Sequence, residues 1–123
     1  MMSNFSQNIA PYVKKEMINA YRAQKRDDPA TEFRYLENAH VLGQESTYWH
    51  VKVHYLMLCW AIKQRDIKEI NGQLIRIVGA ALLTAIDDVP IGNTGGSNVH
   101  SLKVMPISAK HAEIIIKTKT LSR

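Results

Sequence analysis

Apolar residues return every three or four positions through most of the chain, and no segment alternates apolar with polar residues for long enough to make a strand. Ile9, Tyr12, Val13, Met17, Ala20 and Tyr21 fall on one face of a first helix. Asp28 and Pro29 then supply an N-cap and a first-position proline, whose missing N–H costs nothing there, so a second helix is predicted over 29–42. Its core face is Phe33, Leu36 and His40 with Ala39 beside it, and Gly43 stands where a left-handed C-terminal cap belongs. Ser46 caps a third helix with the stripe Trp49, Val53, Leu56, Met57 and Trp60, ending near Arg65. Asp66 and Glu69 have capping-box spacing for a fourth, whose inward face reads Ile67, Ile70, Leu74, Ile77, Val78 and Ala81.

Pro90, Gly92, Gly95, Gly96 and Pro106 interrupt regular structure over 87–107, a loop long for a chain of this size. Ser108 caps a short last helix reaching Lys117, with 118–123 read as a frayed tail. The fold class is therefore all-α, four main helices plus a short C-terminal one. Short connections force neighbours antiparallel and give stacked helical hairpins. Leu36-x-x-Ala39 before a tight turn gives helix two a tetratricopeptide-like flavour, but the marks and period of such repeats are missing.

With 123 residues there is room for one core, so 1–123 is read as a single domain. A hydrophobic content of 46% against 22% charged excludes a disordered chain. The formal charge of +5 comes from basic residues scattered along the helices, without a stripe of Arg and Lys interleaved with aromatics, so nucleic acid is not the expected partner. The longest apolar run, 77–86, is about half of what a membrane-spanning helix needs, and the N-terminal stretch lacks the apolar core of a secretory signal. The expectation is a cytoplasmic protein without a membrane segment. A single cysteine, Cys59, rules out an internal disulfide and every Cys-pair zinc site, and on helix three it reads as a buried, inert thiol.

Any metal site must therefore draw on His, carboxylate or Met. Glu37 and His40 stand three apart on helix two, and His50 and His54 four apart on helix three, so each pair shares a face of its helix. In an antiparallel hairpin turning near Gln44 and Glu45, His40 stands level with His50, and Glu37 with His54. Three imidazoles and a carboxylate suit zinc, nickel or copper. Met57 continues the series but reads as a core gap-filler, and Glu45 as an exposed acid. Ligation by histidine predicts that metal affinity falls as pH drops through about 6.5. The loop residues Gly92, Asn93, Thr94, Gly95, Gly96 and Asn98 are rich in small donors that suit an anion-binding nest or a partner contact, although the motif is not a P-loop. The tighter reading is a loop folded over the helices. No nucleophile elbow or triad spacing is present, so no catalytic residue is assigned and an enzyme is not the expected class.

The stretch Phe33-x-x-Leu36-Glu37-x-Ala39-His40-Val41-Leu42-Gly43-Gln44, followed by His50-Val51-x-Val53-His54-x-x-Met57-x-x-Trp60, Gly72-Gln73-Leu74-x-Arg76 and Gly92-Asn93-Thr94-Gly95-Gly96-x-Asn98-Val99, resembles an uncharacterised bacterial family, domain of unknown function family 3703. The resemblance covers 28–107. It implies a small all-helical bacterial protein, associated with heavy-metal resistance, and carries no agreed ligand set. The leading expectation is a cytoplasmic metal-binding protein of metal homeostasis or resistance, with Glu37, His40, His50 and His54 as ligands to zinc, copper or nickel. Its rival is a cofactor-free helical-hairpin module that binds a protein partner. Trp49, Trp60, Tyr48 and Tyr55 offer more aromatic surface than one helix needs internally, which permits a homodimer.

Overall fold

The computed structural model describes residues 3–85, 92–97, 99 and 103–121, without the side chains of 83–85. Five helices run in the order α1 (Asn4–Lys25), α2 (Pro29–Gly43), α3 (Thr47–Gln64), α4 (Ile67–Ala85) and α5 (Ala109–Leu121), and no strand occurs among the described residues. α1 packs on α2, α2 on α3, and α3 on α4, while α5 lies against α1. The result is the predicted set of helical hairpins.

The helix starts are set by the predicted side chains. Asp28 Oδ1 accepts from the Thr31 amide at 3.2 Å, Ser46 Oγ from Trp49 at 3.3 Å, and Asp66 Oδ1 from Glu69 at 3.0 Å. The capping box at α4 is only half made. The Glu69 side chain turns inward to other partners instead of reaching back to the cap. Gly43 also departs from expectation. It lies inside α2, outside the left-handed region, and is needed for room: a Cβ there would stand 2.8 Å from Trp49 Cβ.

Ile9, Val13, Leu36, Ala39, Leu42, Trp49, Val53 and Met57 form the core, so Met57 is packing. Both tryptophans are used internally. Trp49 Nε1 donates to the Ser6 carbonyl at 2.8 Å, Trp60 Nε1 donates to that of Pro29 at 3.0 Å, and the Trp60 ring tilts against Phe33. Tyr48 and Tyr55 remain exposed. Cys59 is exposed rather than buried, because the buried stripe of α3 runs through Val53, Met57 and Ala61 and leaves it on the outer side. The last helix continues past Lys117. Thr118 is buried, its hydroxyl donates back to the Ile114 carbonyl, and its own carbonyl accepts from Asn8 of α1, so the segment through Leu121 is ordered helix.

α4 departs most from the pattern. Ile67, Leu74 and Val78, expected inward, are 67%, 50% and 61% exposed, whereas Glu69 and Gln73 are buried at 6% and 0%. The helix is turned with its polar face inward. Burial of a carboxylate and an amide is tolerable only where hydrogen bonds replace the lost water, and the histidines and the loop after α4 supply them.

Candidate metal centre

His40 faces inward from α2, and His50 and His54 from α3, and the three side chains meet. Their nearest ring nitrogens all lie within 4.8 Å of one another, and each residue is buried. His40 Nε2 stands 3.1 Å from His50 Nε2 and 3.0 Å from His54 Nε2. Two nitrogens bound to one tetrahedral zinc ion lie about 3.3 Å apart, as follows from bonds of about 2.05 Å.

The outer ring nitrogens fix the tautomers. His40 Nδ1 donates to the Asn93 carbonyl at 2.6 Å, which leaves Nε2 of that neutral ring a bare acceptor. His54 Nδ1 is 2.6 Å from Gln73 Oε1. The amide of Gln73 cannot be reversed, because its nitrogen donates to Glu69 Oε2 at 2.6 Å and to the Gly95 carbonyl at 2.9 Å. His54 Nδ1 is therefore the donor, and its Nε2 is also a bare acceptor. Hydrogen bonds of this outer kind orient metal-ligating imidazoles and raise their basicity.

All three rings are neutral at neutral pH. Burial lowers each, helped at His40 by His54 and His50: His54 to about 4, His50 to about 3 and His40 well below its usual value. At His54 the hydrogen bond to Gln73 opposes the shift.

The loop after α4 closes the site. Glu69 accepts from the Ser97 amide at 3.0 Å and from the Ser97 hydroxyl at 2.8 Å, and Asn93 Oδ1 accepts from the Gly95 amide at 2.8 Å. Gly95 has φ +89°, and a Cβ there would come within 2.5 Å of the His40 ring. Gly95→Ala is therefore expected to push the loop off His40, costing about 2 kcal/mol or more of stability, readable as a fall in urea midpoint. An unchanged midpoint would show that the loop does not bear on the ring.

Glu37 is not brought into this group. It is half-buried in a neighbouring groove with Phe33, Trp60 and Glu69, where burial raises its carboxyl above the usual range. Three residues carry the chain about 60° short of a full turn, enough to swing Glu37 off the His40 face. Glu45 pairs with Lys119 of α5. Of the loop residues singled out in the sequence, Gly92, Asn93, Thr94, Gly95 and Gly96 are described, with Asn93 and Gly95 touching the site, and Asn98 lies outside the described residues, as does His100. Sequence reasoning gave Glu69 only a capping role and gave no site role to Gln73 or Arg76. Their signal was there: three polar residues at i, i+4 and i+7, which share one face of the helix.

Above the trio lies a cavity of about 80 Å³ that Gln44, Arg76, Gly79, Asn93 and Gly95 also line. No helix among the described residues is long and apolar enough to cross a membrane. No curated protein and no solved structure matches the chain significantly. A family profile does match, over residues 7–115, and the chain belongs to that family, described as protein of unknown function (DUF3703).

Proposed function

We propose that this protein binds one transition-metal ion through Nε2 of His40, His50 and His54, and that it serves as a buffer, sensor or carrier in cytoplasmic metal homeostasis or resistance. The observation that carries the reading is the pair of bare nitrogens, His40 Nε2 and His54 Nε2, 3.0 Å apart, with each ring's Nδ1–H donating on its far side to the Asn93 carbonyl or to Gln73 Oε1. Two lone pairs aimed at each other repel unless a cation stands between them. A proton is a poor candidate, since burial keeps these rings neutral, whereas a metal ion accepts both lone pairs and a third from His50. Imidazole ligands without thiolate or thioether favour zinc, copper(II) or nickel over copper(I).

The test is elemental analysis of the purified protein, followed by titration of the metal-free form with zinc, copper and nickel. Near-stoichiometric binding that disappears in His50→Ala and His54→Ala is the expected result. Metal-free protein that refuses micromolar metal would sink the reading. A second reading, a cofactor-free interaction module, is favoured by the outer face of α4, where Ile67, Leu74, Ile75, Val78 and Leu82 stand exposed. It predicts that histidine substitutions have the same effect with and without metal.

A further inference from the structure

Three imidazoles fill three corners of a tetrahedral ion and leave the fourth to whatever the cavity holds. The cavity of about 80 Å³ has more room than one water molecule needs. Among the described residues no carboxylate lines it, and its one cationic side chain is Arg76.

The Arg76 guanidinium is anchored but not neutralised. Nη1 donates to the Gly72 carbonyl at 3.2 Å and Nη2 to the Val99 carbonyl at 2.8 Å, while Nε is buried and has no hydrogen-bond partner. Among the described residues no carboxylate oxygen lies within ion-pair distance of it. Glu69 acts on it only from further away, its oxygens being engaged by Gln73 and Ser97. A dication bound to three neutral imidazoles beside this guanidinium leaves an excess of positive charge in a poorly solvated place, and a water molecule in the fourth corner would not offset it.

We infer that the metal-loaded site takes a small oxyanion, a carboxylate or bicarbonate, as its fourth ligand, with Arg76 selecting for the negative charge. One anion oxygen completes the coordination, and its charge faces the guanidinium. The apolar neighbours Ile75, Gly79 and Ala80 offer no side-chain donor that would recognise further groups on a larger ligand. This inference rests on the metal-site reading, and its test separates the two.

The full chain is loaded with cobalt(II), whose visible absorption reports coordination, and titrated in chloride-free buffer with sodium formate, sodium acetate, sodium bicarbonate and acetamide. The expected result is a saturable spectral change with the anions, in the millimolar range or below, and none with acetamide, the neutral counterpart of acetate. Comparison of formate and acetate with bicarbonate tells which source of the oxyanion fits best. Arg76→Gln is expected to weaken anion affinity at least about tenfold with cobalt uptake undiminished, and Arg76→Lys to retain most of it. No response to any anion, an equal response to acetamide and acetate, or wild-type anion affinity in Arg76→Gln would each overturn the inference. If Arg76→Gln does not fold, the acetate and acetamide comparison on the wild-type protein decides. Failure of the wild-type chain to take up cobalt would instead overturn the metal reading beneath it.

Discussion

On the proposed metal reading, replacing His40 by alanine is expected to abolish stoichiometric metal binding and, with it, the rise in melting temperature expected of the metal-loaded wild-type protein. His40 is the middle of the trio, within 3.1 Å of His50 and 3.0 Å of His54, and its ring is the link between α2 and the Asn93 carbonyl. A ligand that binds only the folded chain stabilises it by about 4 kcal/mol at a thousandfold excess over its dissociation constant, which for a domain of this size is about 15 °C. Without metal the same substitution loses a hydrogen bond to a buried carbonyl and costs about 1–3 kcal/mol. Calorimetric melts of both proteins, with and without zinc, separate the terms. Equal losses in the two conditions would mean that the ring is packing and that no ion stabilises the fold through it.

Acid is expected to destabilise the metal-free protein well before its surface carboxylates titrate. In the unfolded chain each imidazole takes up a proton near pH 6.5, while in the folded chain His54 refuses until about pH 4 and His50 until about pH 3. Between those limits the unfolded state binds more protons, so the histidine contribution is fully present above pH 6.5 and is lost as pH falls towards 4 and 3. For His54 alone the loss by pH 4 is roughly 3 kcal/mol. Glu32 and Glu37 act the other way: burial raises their carboxyls, so the folded chain takes up their protons first and gains stability on acidification. Urea midpoints from pH 7.5 to 4 measure the balance, and His50→Asn should flatten the curve by about one proton's worth. A profile that stays level between pH 7 and 5 would contradict the buried, neutral state of the trio. The same burial moves the window for metal binding. The ordinary imidazole value places loss of affinity near pH 6.5, but in this pocket the histidines proposed as ligands stay unprotonated, so intrinsic affinity is expected to hold until pH approaches about 4.

Helix existence, the N-caps of α2, α3 and α4, and the meeting of His40 with His50 and His54 were legible in the sequence, because each depends on local spacing: a cap and its third amide, or two residues one turn apart on one face. What failed depended on which of two faces wins. Helical periodicity gave α4 an apolar side with Ile67, Leu74 and Val78 and a polar side with Glu69, Gln73 and Arg76, and burial of the apolar side was the ordinary expectation. The polar side is buried because His54 Nδ1 and the Ser97 amide find their acceptors in Gln73 and Glu69, a requirement that spans distant segments, so the periodicity of α4 shows that two faces exist but not which one is buried. Glu37 failed for a related reason. The hairpin register was expected to bring it level with His54, but rotation around α2 turns the carboxylate into the groove beside Trp60 and Glu69.

The loop over the trio also governs time. Asn93, Gly95 and Ser97 tie to His40, Gln73 and Glu69 respectively, so the loop joins α2 to α4 across the trio. On the proposed metal reading, an ion seated beneath those ties would be released when they part, so a strong chelator is expected to strip it at a rate that stops rising with chelator concentration. That limiting rate is the opening rate of the loop itself. Hydrogen exchange of the Gly95 and Ser97 amides, both hydrogen-bonded within the same set of ties, should report the identical opening. Residence of the ion and protection of two backbone protons thus become two readings of one clock.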